Sequence, residues 1–232
     1  MNKQKLVIFT GSGVSAESGI KTFRDAGGLW EEHRVEDVAS VEGWYRNPEL
    51  VLNFYNARRK QLVSAQPNQA HYLIANLEKK YDVNVITQNV DNLHERAGST
   101  EVLHLHGELM KVRSTADEHL IYDVKEINKN GTDIYVGDKC KLESQLRPHI
   151  VFFGEAVPNM TIAIKLTANA DILCVVGTSL AVYPAASLLY YVEPSTTIYL
   201  IDPNPPDNLS SNIITIPEKA TTGMAKFVEL LN

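Results

Sequence analysis

Short apolar runs recur along the chain and alternate with stretches whose apolar residues follow helical spacing. The runs are rich in β-branched residues, which is typical of buried parallel strands. They cover residues 6–9, 83–87, 101–105, 172–177, 197–201 and, less clearly, 212–216. Helical spacing is found over residues 48–64, 68–80, 160–168, 184–192 and 221–231. Strands that alternate with helices in this way predict an α/β fold with a doubly wound parallel sheet.

Residues 113–148 interrupt this alternation. The segment is charged and rich in turn-forming residues, and it shows little long-range periodicity. We therefore expect a small inserted second domain made of short strands around Asn130-Gly131.

The predicted helix at 48–64 carries a charge on its apolar side. On a 3.6-residue wheel, one side of LNFYNARRKQL and its preceding residue carries Val51, Phe54, Tyr55 and Leu62. The other side carries Asn53, Asn56 and Lys60. Arg58 falls among the apolar set, one turn from Tyr55. From helix geometry alone, Arg58 either reaches past the apolar surface to solvent or pairs with a carboxylate inside.

Composition limits the class of protein. The chain has 232 residues, of which 44% are hydrophobic and 22% charged, as in a globular protein with one large domain or a domain with a small insert. Its net charge is −6 and no long run of Lys or Arg occurs, so neither nucleic acid nor an anionic membrane is an expected partner. An acidic protein suits a partner with exposed lysines.

Cysteine content and the N-terminal residues bear on the compartment. Cys140 and Cys174 lie far apart and form no disulfide framework, which fits a reducing compartment. The apolar run LVIF is too short for a signal peptide, and no apolar stretch approaches transmembrane length. We expect a cytoplasmic protein.

The first predicted strand runs into a glycine-rich turn. LVIFTGSGVSAESGI places Gly11, Gly13 and Ala16 in a G-x-G-x-x-A pattern, in which glycines let backbone N–H groups approach a pyrophosphate. A structural tight turn is the alternative. A dehydrogenase would carry an acidic residue at the end of a second strand about 20 residues on, but KTFRDAGGLWEEH does not have the pattern of a strand. The loop is a candidate dinucleotide site, and hydride transfer is disfavoured.

Other strand ends also carry polar residues, and parallel sheets bind ligands at the carboxyl ends of their strands. Gln88, Asn89 and Asp91 could hold ribose hydroxyls or a carboxamide, or could cap a helix over residues 92–97. A further turn that could bind phosphate or ribose is formed by Gly177, Thr178 and Ser179.

Two histidines follow the strand predicted at 101–105. His104 and His106 would point in opposite directions if both lie on the strand. A lone histidine is more often a core residue than a catalyst. However, His106 precedes a glycine at the same edge as the other polar turns, which favours a functional role.

Five blocks of sequence resemble, in order, the signature blocks of the sirtuin family of NAD-dependent protein lysine deacylases. They are GSGVSAESGI with TFRD (11–25), TQNVD (87–91), HLHGEL (104–109), RPHIVFFGE (147–155) and VVGTSLAVYPAA (175–186). The match runs from about Lys5 to the C-terminal helix. It implies one catalytic domain over residues 1–232. Its parts are a Rossmann-like portion (1–30, 68–112 and 149–232), a small module at about 113–148, and a helical segment (31–67) lining the acyl pocket.

The resemblance implies that NAD is bound as a consumed co-substrate, with residues 15–34 as a mobile cofactor loop. The NAD-binding residues it implies are Gly11, Ser12, Gly13, Ser15, Ala16, Gly19, Ile20, Phe23, Arg24, Gln88, Asn89, Val90, Asp91, Gly177, Thr178, Ser179, Asp202, Asn204 and Ala220. Asp202, in LIDPNPP, replaces the asparagine usual on the adenosine side. Either Asp202 or Asn204 could therefore contact the ribose.

The resemblance also implies that His106 is the general base, with Asn89 and Asp91 as further catalytic residues beside the nicotinamide ribose. In the family's mechanism, the acyl oxygen of acyl-lysine attacks the ribose carbon as nicotinamide leaves, and His106 deprotonates the ribose hydroxyls. The products are free lysine, nicotinamide and an O-acyl-ADP-ribose. Imidazole suits this role because its unperturbed pKa of about 6.5 lies near neutral pH.

The substrate would be an acyl-lysine protein or peptide, whose backbone pairs with the segment IVFFGE at 150–155. The alternative is that this segment is only a buried strand and a turn. The substrate residues implied are Tyr55, Arg58, Val151, Phe152, Phe153, Gly154 and Glu155. Tyr-x-x-Arg resembles the acyl-pocket pair of the sirtuin class that removes acidic acyl groups, because a guanidinium matches a carboxylate. We expect succinyl or malonyl groups to be removed in preference to acetyl.

One departure from the family concerns zinc. Family members usually hold a structural zinc with two cysteine pairs, but residues 113–148 contain only Cys140, and Ser114 stands roughly where the first pair would start. Structural zinc needs four ligands, and the possible replacements are more simply surface residues: Asp117, His119 and Asp138. We therefore predict no zinc. The module would be held by its own apolar residues, Leu120, Ile121, Ile127, Ile134, Tyr135 and Val136.

Two other functions remain open on the sequence. An ADP-ribosyltransferase or NAD hydrolase of the same fold would share these motifs. A non-catalytic NAD-sensing module is the second alternative, and the presence of His106, Asn89 and Asp91 together argues against it.

Overall fold

The structure is a computed structural model and describes residues 3–21, 29–30, 32–178, 183–206 and 209–231. In chain order its strands are β1 (Lys5–Thr10), β2 (Leu29–Trp30), β3 (His33–Arg34), β4 (Asp82–Thr87), β5 (Val102–His104), β6 (Gly107–Ser114), β7 (Ile121–Asp123), β8 (Leu146–Ile150), β9 (Ile172–Val176), β10 (Thr197–Ile201) and β11 (Ile213–Ile216). Its helices are α1 (Gly13–Ala16), α2 (Val35–Val38), α3 (Val41–Arg46), α4 (Pro48–Ser64), α5 (Gln69–Leu77), α6 (Leu93–Ala97), α7 (Val124–Ile127), α8 (Met160–Ala168) and α9 (Ala220–Leu230), with a 3₁₀ helix at Ala185–Tyr191.

The main sheet has six strands in the order β11-β10-β9-β1-β4-β5, and every neighbouring pair is parallel. Alternate residues of β1 face opposite sides of this sheet. Leu6 and Ile8 pack with α5 and α9, whereas Val7 and Phe9 pack with α8 and the 3₁₀ helix. Helices therefore cover both faces, and the predicted doubly wound, Rossmann-like sheet is confirmed.

Outside the insert, most element predictions agree with the structure, and the differences concern where a helix ends or which type of helix forms. The predicted helices at 48–64 and 160–168 have the observed limits. Helix α5 ends at Leu77, because residues 78–80 continue only as a turn. The segment predicted as a helix at 184–192 is the shorter 3₁₀ helix.

The insert contains a separate antiparallel sheet, but not where the sequence pattern placed it. This sheet has the order β7-β6-β8, so its two longer strands extend beyond residues 113–148 at either end. The prediction of strands around Asn130-Gly131 is wrong. Helix α7 precedes a turn there, and the Asn128 side chain stabilises the turn by accepting from the Asn130 N–H at 3.2 Å and donating to the Asp133 carbonyl at 3.0 Å.

The insert shares its core with helix α4 instead of having one of its own. Buried residues of α4 and of the antiparallel sheet form one cluster, which includes Tyr55, Val112, Ile134 and Leu146. Leu120 and Ile127 are partly buried, as expected. The expectation that the other apolar side chains would hold the module is wrong for Ile121, Tyr135 and Val136, which are 43%, 53% and 57% exposed. Helix α4 already covers the inner face of the sheet.

Helix α4 has clear start signals in the sequence. Asn47 accepts a hydrogen bond from the Leu50 N–H at 3.0 Å, and Pro48 occupies the first turn, where its missing N–H costs nothing. Among the described residues, no helix combines the length and the apolar character needed to cross a membrane.

Candidate functional site

The carboxyl ends of β1, β4, β9 and β10 meet at one edge of the main sheet. Main-chain hydrogen bonds join the loops that follow them: Gly11 N–H to the Val176 carbonyl at 3.0 Å, Gln88 N–H to the Thr10 carbonyl at 2.9 Å, and Gly177 N–H to the Ile201 carbonyl at 2.9 Å. The motifs predicted at separate strand ends are therefore neighbours in space.

Glycines allow two of these loops to touch. The Gly13 N–H donates to the Gly177 carbonyl at 2.8 Å. A Cβ on Gly13 would lie 2.7 Å from the Gly177 Cα, and one on Gly177, whose φ is +61°, would lie 2.5 Å from the Val14 nitrogen. The N–H groups of Gly11 and Gly13 are thus bonded to main-chain carbonyls, and these glycines serve the close contact of the two loops.

Ser15, Asn89 and Asp91 form a buried polar network beside the glycine-rich loop. The Ser15 hydroxyl donates to Asp91 Oδ2 at 2.9 Å and accepts from Asn89 Nδ2 at 3.1 Å. Asp91 also accepts from the Leu93 N–H at 3.1 Å, so it both caps α6 and belongs to the site. Burial raises the pKa of Asp91, and the bonds from Leu93 and Ser15 offset part of that shift.

His71 extends this network from helix α5. Its Nδ1 accepts from the Asn68 N–H at 3.3 Å, so Nε2 carries the proton that faces the Ser15 hydroxyl at 3.5 Å. Burial lowers the pKa of His71 to about 4. The neutral imidazole therefore orients the serine that connects Asn89 to Asp91.

His106 is held by a main-chain carbonyl of the neighbouring loop. Its Nδ1 lies 3.0 Å from the Gln88 carbonyl oxygen, which can only accept, so Nδ1 carries the proton. Among the described residues Nε2 has no hydrogen-bond partner, and in this tautomer it is a base. Partial burial lowers the pKa of His106, an effect that the bond to Gln88 offsets in part. The Gln88 side chain donates to Thr178 Oγ1 at 2.9 Å and links this loop to β9.

His104 binds the same loop, which corrects the expectation that the two histidines point in opposite directions. Residues two apart in an extended chain share a face, and β5 ends at His104. Its Nδ1 lies 3.0 Å from the Asn89 carbonyl and its Nε2 lies 2.7 Å from Glu95 Oε1.

Helix α4 buries a different arginine from the one that its periodicity placed among the apolar residues. Arg58 is only partly buried, with its guanidinium carbon 5.6 Å from the Phe54 ring centroid. The fully buried arginine is Arg59, which donates to the Thr132 carbonyl at 2.6 Å and to Asn56 Oδ1 at 2.5 Å. Asn56, predicted on the polar side, is 4% exposed. The reason is that residues 132–134 cover this side of the helix and supply main-chain partners.

Tyr55 connects α4 to the segment 151–155. It is fully buried, and its ring centroid lies 6.0 Å from that of Phe152. Burial raises the pKa of the Tyr55 hydroxyl, so it stays protonated over the physiological range.

Glu155 fixes the segment 151–155 through two ion pairs and one hydrogen bond to its main chain. It forms ion pairs with Arg113 at 3.0 Å and Arg147 at 2.7 Å, and it accepts from the Phe152 N–H at 2.8 Å. Both arginines are 8% exposed.

The main chain of the segment 151–155 is partly engaged. The Val151 N–H donates to the His106 carbonyl at 3.0 Å, and the Phe153 N–H donates to the Ala39 carbonyl at 2.8 Å. A turn follows at Gly154, whose φ is +95°. The Phe153 side chain is 49% exposed.

The remaining predicted site residues are more scattered. In the glycine-rich loop and the residues after it, Ser12 and Ile20 are partly buried, whereas Ala16 and Gly19 are exposed. The Val90 carbonyl accepts a hydrogen bond from the Leu109 N–H at 2.7 Å. Asp202 is 3% exposed at the end of β10 and accepts from the Asn204 N–H at 2.9 Å, whereas Asn204 is exposed. Ala220 is buried where α9 begins. Three predicted residues lie outside the described part of the chain: Phe23, Arg24 and Ser179.

Sequence reasoning missed several residues that shape the site. His71, Glu95 and Arg59 act through other side chains, and a single sequence gives little signal for such contacts. Their spacing offers a weak one, because Asn68 and His71 form a capping box and Asn56 and Arg59 are one turn apart.

No cluster of three or more metal-binding side chains (His, Cys, Asp or Glu) occurs in the described part of the chain. At the expected zinc position, Cys140 Sγ instead donates to Ser114 Oγ at 3.2 Å.

Comparison with known proteins agrees with this geometry. The Sir2 family model matches residues 11–184. An NAD-dependent protein deacylase of Bacteroides thetaiotaomicron is 53% identical over 98% of this chain and 98% of its own. Another, from Helicobacter pylori, is 54% identical over 95% of this chain and 94% of its own.

Solved structures give the same result. A Sir2 homologue in complex with NAD superimposes with a TM-score of 0.86 at 39% identity, covering 99% of this chain and 90% of that one. A Sir2 mutant with a deacetylated p53 peptide and an acetyl ADP-ribose superimposes with a TM-score of 0.82 at 32% identity, covering 98% of this chain and 94% of that one. The chain belongs to the Sir2 family, the sirtuins.

Proposed function

We propose that this chain is an NAD-dependent protein lysine deacylase that prefers acidic acyl groups. The observation that carries the deacylase proposal is the tautomer of His106, whose Nδ1 proton on the Gln88 carbonyl leaves Nε2 as a base. The relatives named NAD-dependent protein deacylase support the same reaction and a protein substrate. The predicted partners are acyl-lysine proteins of the cytoplasm. Neither nucleic acid nor a membrane is a predicted partner.

The donor set at the strand ends fits NAD. Hydroxyl, carboxamide and carboxylate groups of Ser15, Gln88, Asn89 and Asp91 converge there, and they match the hydroxyls and the carboxamide of a nicotinamide riboside. When bound, NAD supplies the ribose carbon that accepts the acyl group as nicotinamide leaves. The glycines let the two loops approach each other closely, because a Cβ on Gly13 or Gly177 would clash with the neighbouring main chain.

The residues of the site divide the work between orientation and proton transfer. Asp91 holds the Ser15 hydroxyl, and this hydroxyl in turn accepts from the Asn89 amide, so the amide is fixed before a ligand arrives. His106 Nε2 takes the proton from a ribose hydroxyl. Its lowered pKa keeps the imidazole unprotonated at neutral pH, as a general base requires.

The preference for acidic acyl groups rests on Tyr55 and Arg58. Tyr55 packs on Phe152, within the segment proposed to bind the peptide, and Arg58 follows one turn later on the same helix. Arg59 cannot be the group that binds the acyl carboxylate, because it is fully buried and bonded to Thr132 and Asn56. A guanidinium at the position of Arg58 can bind a succinyl or malonyl carboxylate, whereas an acetyl group offers no such partner.

The preference is tested by measuring kcat/KM on succinyl-, malonyl- and acetyl-lysine peptides. A charged hydrogen bond is worth roughly 1.5–3 kcal/mol, so Arg58→Met should lower the ratio of desuccinylation to deacetylation by roughly 10- to 150-fold. Lys60→Met is the matched control, because Lys60 lies on the same helix, is exposed and pairs with Asp133 at 2.8 Å. If Arg58→Met lowered kcat/KM equally on all three peptides, Arg58 would not be the residue that binds the acyl carboxylate.

The reaction itself is tested with His106→Ala and by mass spectrometry of the NAD-derived product. We expect O-acyl-ADP-ribose from the wild type, and no product from the variant although it still binds NAD. Plain ADP-ribose would indicate NAD hydrolysis instead, and unchanged turnover in the variant would contradict the assignment of the base.

A further inference from the structure

Two successive carbonyls in the loop after β4 are each held by an imidazole. Gln88 O accepts from His106 Nδ1 and Asn89 O accepts from His104 Nδ1, both at 3.0 Å. The first contact belongs to the proposed base. The second belongs to a histidine that is buried, 7% exposed, and has no place in the reaction described above.

The second nitrogen of His104 makes a contact that His106 lacks. His104 Nε2 lies 2.7 Å from Glu95 Oε1 on α6. A carbonyl on one side and a carboxylate on the other both require donors, so both nitrogens of His104 carry protons and the ring is an imidazolium. Burial opposes this charge, but the bonds to Glu95 and Asn89, with Glu108 nearby, raise the pKa of His104.

The bond from His104 completes the fixation of Asn89. The Asn89 N–H donates to Thr87 Oγ1 at 3.0 Å, and its side-chain amide donates to Ser15 Oγ at 3.1 Å. With the carbonyl on His104, the N–H, the carbonyl and the side-chain nitrogen of Asn89 all have partners. Because the main chain is held on both sides of the Asn89 Cα, the direction of its Cα–Cβ bond is fixed and the side-chain amide stays on Ser15.

We propose that the Glu95–His104 pair is a positioning device, which holds the Asn89 carbonyl so that the Asn89 amide faces the nicotinamide ribose. The pair touches neither substrate nor the reacting atoms, and it acts only through Asn89. This inference rests on the proposed function, because it assigns Asn89 to the nicotinamide side of a deacylase site.

Two substitutions of His104 separate positioning from simple packing. The side-chain nitrogen of asparagine takes the place of imidazole Nδ1, and that of glutamine takes the place of Nε2. His104→Asn keeps the donor to Asn89 and loses the bond to Glu95, whereas His104→Gln does the reverse. We expect kcat to fall roughly 10-fold or more in His104→Gln and less than about 3-fold in His104→Asn, with the KM for acyl-peptide unchanged in both.

Glu95 provides a second pair of variants on a partly exposed side chain, in case the substitutions of His104 prevent folding. Glu95→Gln can donate to Nε2 and so keeps the Nδ1 proton on Asn89. Glu95→Leu cannot, so the imidazole of His104 loses the partner that fixes its Nε2 side and is held only by its bond to the Asn89 carbonyl. We expect Glu95→Leu to lose more kcat than Glu95→Gln while both unfold within a few degrees of the wild type.

The assays use purified full-length chain, NAD and the acyl-peptide preferred by the wild type, with unfolding temperatures as a check on folding. Equal kcat in each pair, or a higher kcat in His104→Gln than in His104→Asn, would overturn the positioning role. A wild type without acyl transfer, or a fully active His106→Ala, would overturn the proposed function itself. The two failures are therefore distinguishable.

Discussion

At the scale of single residues, the protein uses histidine in different charge states, and the immediate neighbours decide which. His71 is buried and His149 is partly buried, neither bonds to a carboxylate, and burial lowers the pKa of each to about 4. His104 has Glu95 at 2.7 Å and a raised pKa. His106 keeps one nitrogen on a carbonyl and the other available. The same side chain thus serves as a neutral donor, a cation and a base.

The neutral histidines predict loss of stability in mild acid. Between pH 6.5 and about 4 the unfolded chain binds a proton at His71 and the folded chain does not, so the free energy of unfolding falls as pH falls. For His71, which is fully buried with a pKa of about 4, the loss amounts to roughly 3 kcal/mol at pH 4. His71→Gln cannot titrate. Its free energy of unfolding, measured by urea unfolding at several pH values between 7 and 4.5, should therefore fall less steeply with decreasing pH than that of the wild type. An unchanged pH dependence would mean that His71 binds its proton over the same pH range in the folded and the unfolded chain.

At the scale of elements, helix α4 joins the insert to the main domain through two polar side chains. Asn56 both donates to and accepts from the main chain of Ile134, at 3.0 and 2.9 Å. Arg59 adds its bond to the Thr132 carbonyl. Burial lowers the pKa of Arg59 to about 10, so the guanidinium is still charged at neutral pH. The helix that carries Tyr55 and Arg58 is thus fixed against residues 132–134.

Arg59→Met tests this connection. The substitution keeps the volume but leaves the partly buried Thr132 carbonyl without its donor, which should cost roughly 1–3 kcal/mol in the free energy of unfolding. Lys60→Met removes an exposed ion pair one residue later and should cost less than about 1 kcal/mol. Urea unfolding monitored by fluorescence measures both variants. Similar losses in the two would contradict the structural role of Arg59.

At the scale of the whole molecule, the insert is held without any metal cluster that the described residues reveal. Its antiparallel sheet packs on α4, and the loop that follows β8 is fixed by Glu155 with Arg113 and Arg147. Where the family usually carries zinc cysteines, Ser114 and Cys140 share a hydrogen bond at 3.2 Å. These contacts offer a physical reason why zinc would be dispensable.

Metal analysis of the purified chain is therefore expected to give far less than one zinc per molecule. Dialysis against EDTA should leave the unfolding temperature and the deacylase activity unchanged, because the residues that the structure describes contain no group of three or more His, Cys, Asp or Glu side chains that could hold a metal. One zinc per chain, or a fall in unfolding temperature on chelation, would show that the insert depends on metal after all.

Sequence alone predicted the main sheet and the edge of that sheet at which the candidate site residues meet. Apolar runs such as LVIF and ILCVVG form strands of a sheet that is covered on both faces. A strand in such a sheet needs apolar residues at nearly every position, and this pattern can be recognised from the sequence of the strand alone. Glycines and polar residues directly after those strands have to meet, because parallel strands present their carboxyl ends at one edge. The position of His106 beside Gln88 and Asn89 follows from this rule.

Only the tertiary structure decided which side chains of helix α4 are buried, because the antiparallel sheet and the segment 132–134 both pack on this helix. Periodicity placed Arg58 inside and Asn56 outside, but the segment 132–134 lies on the other side of α4 and buries Asn56 and Arg59 instead. The pairing of His104 with Glu95 and of Asn68 with His71 likewise depends on how chain segments approach one another. A hydrophobic pattern records which residues avoid water, but the partner that satisfies a buried polar group is known only once the chain has folded.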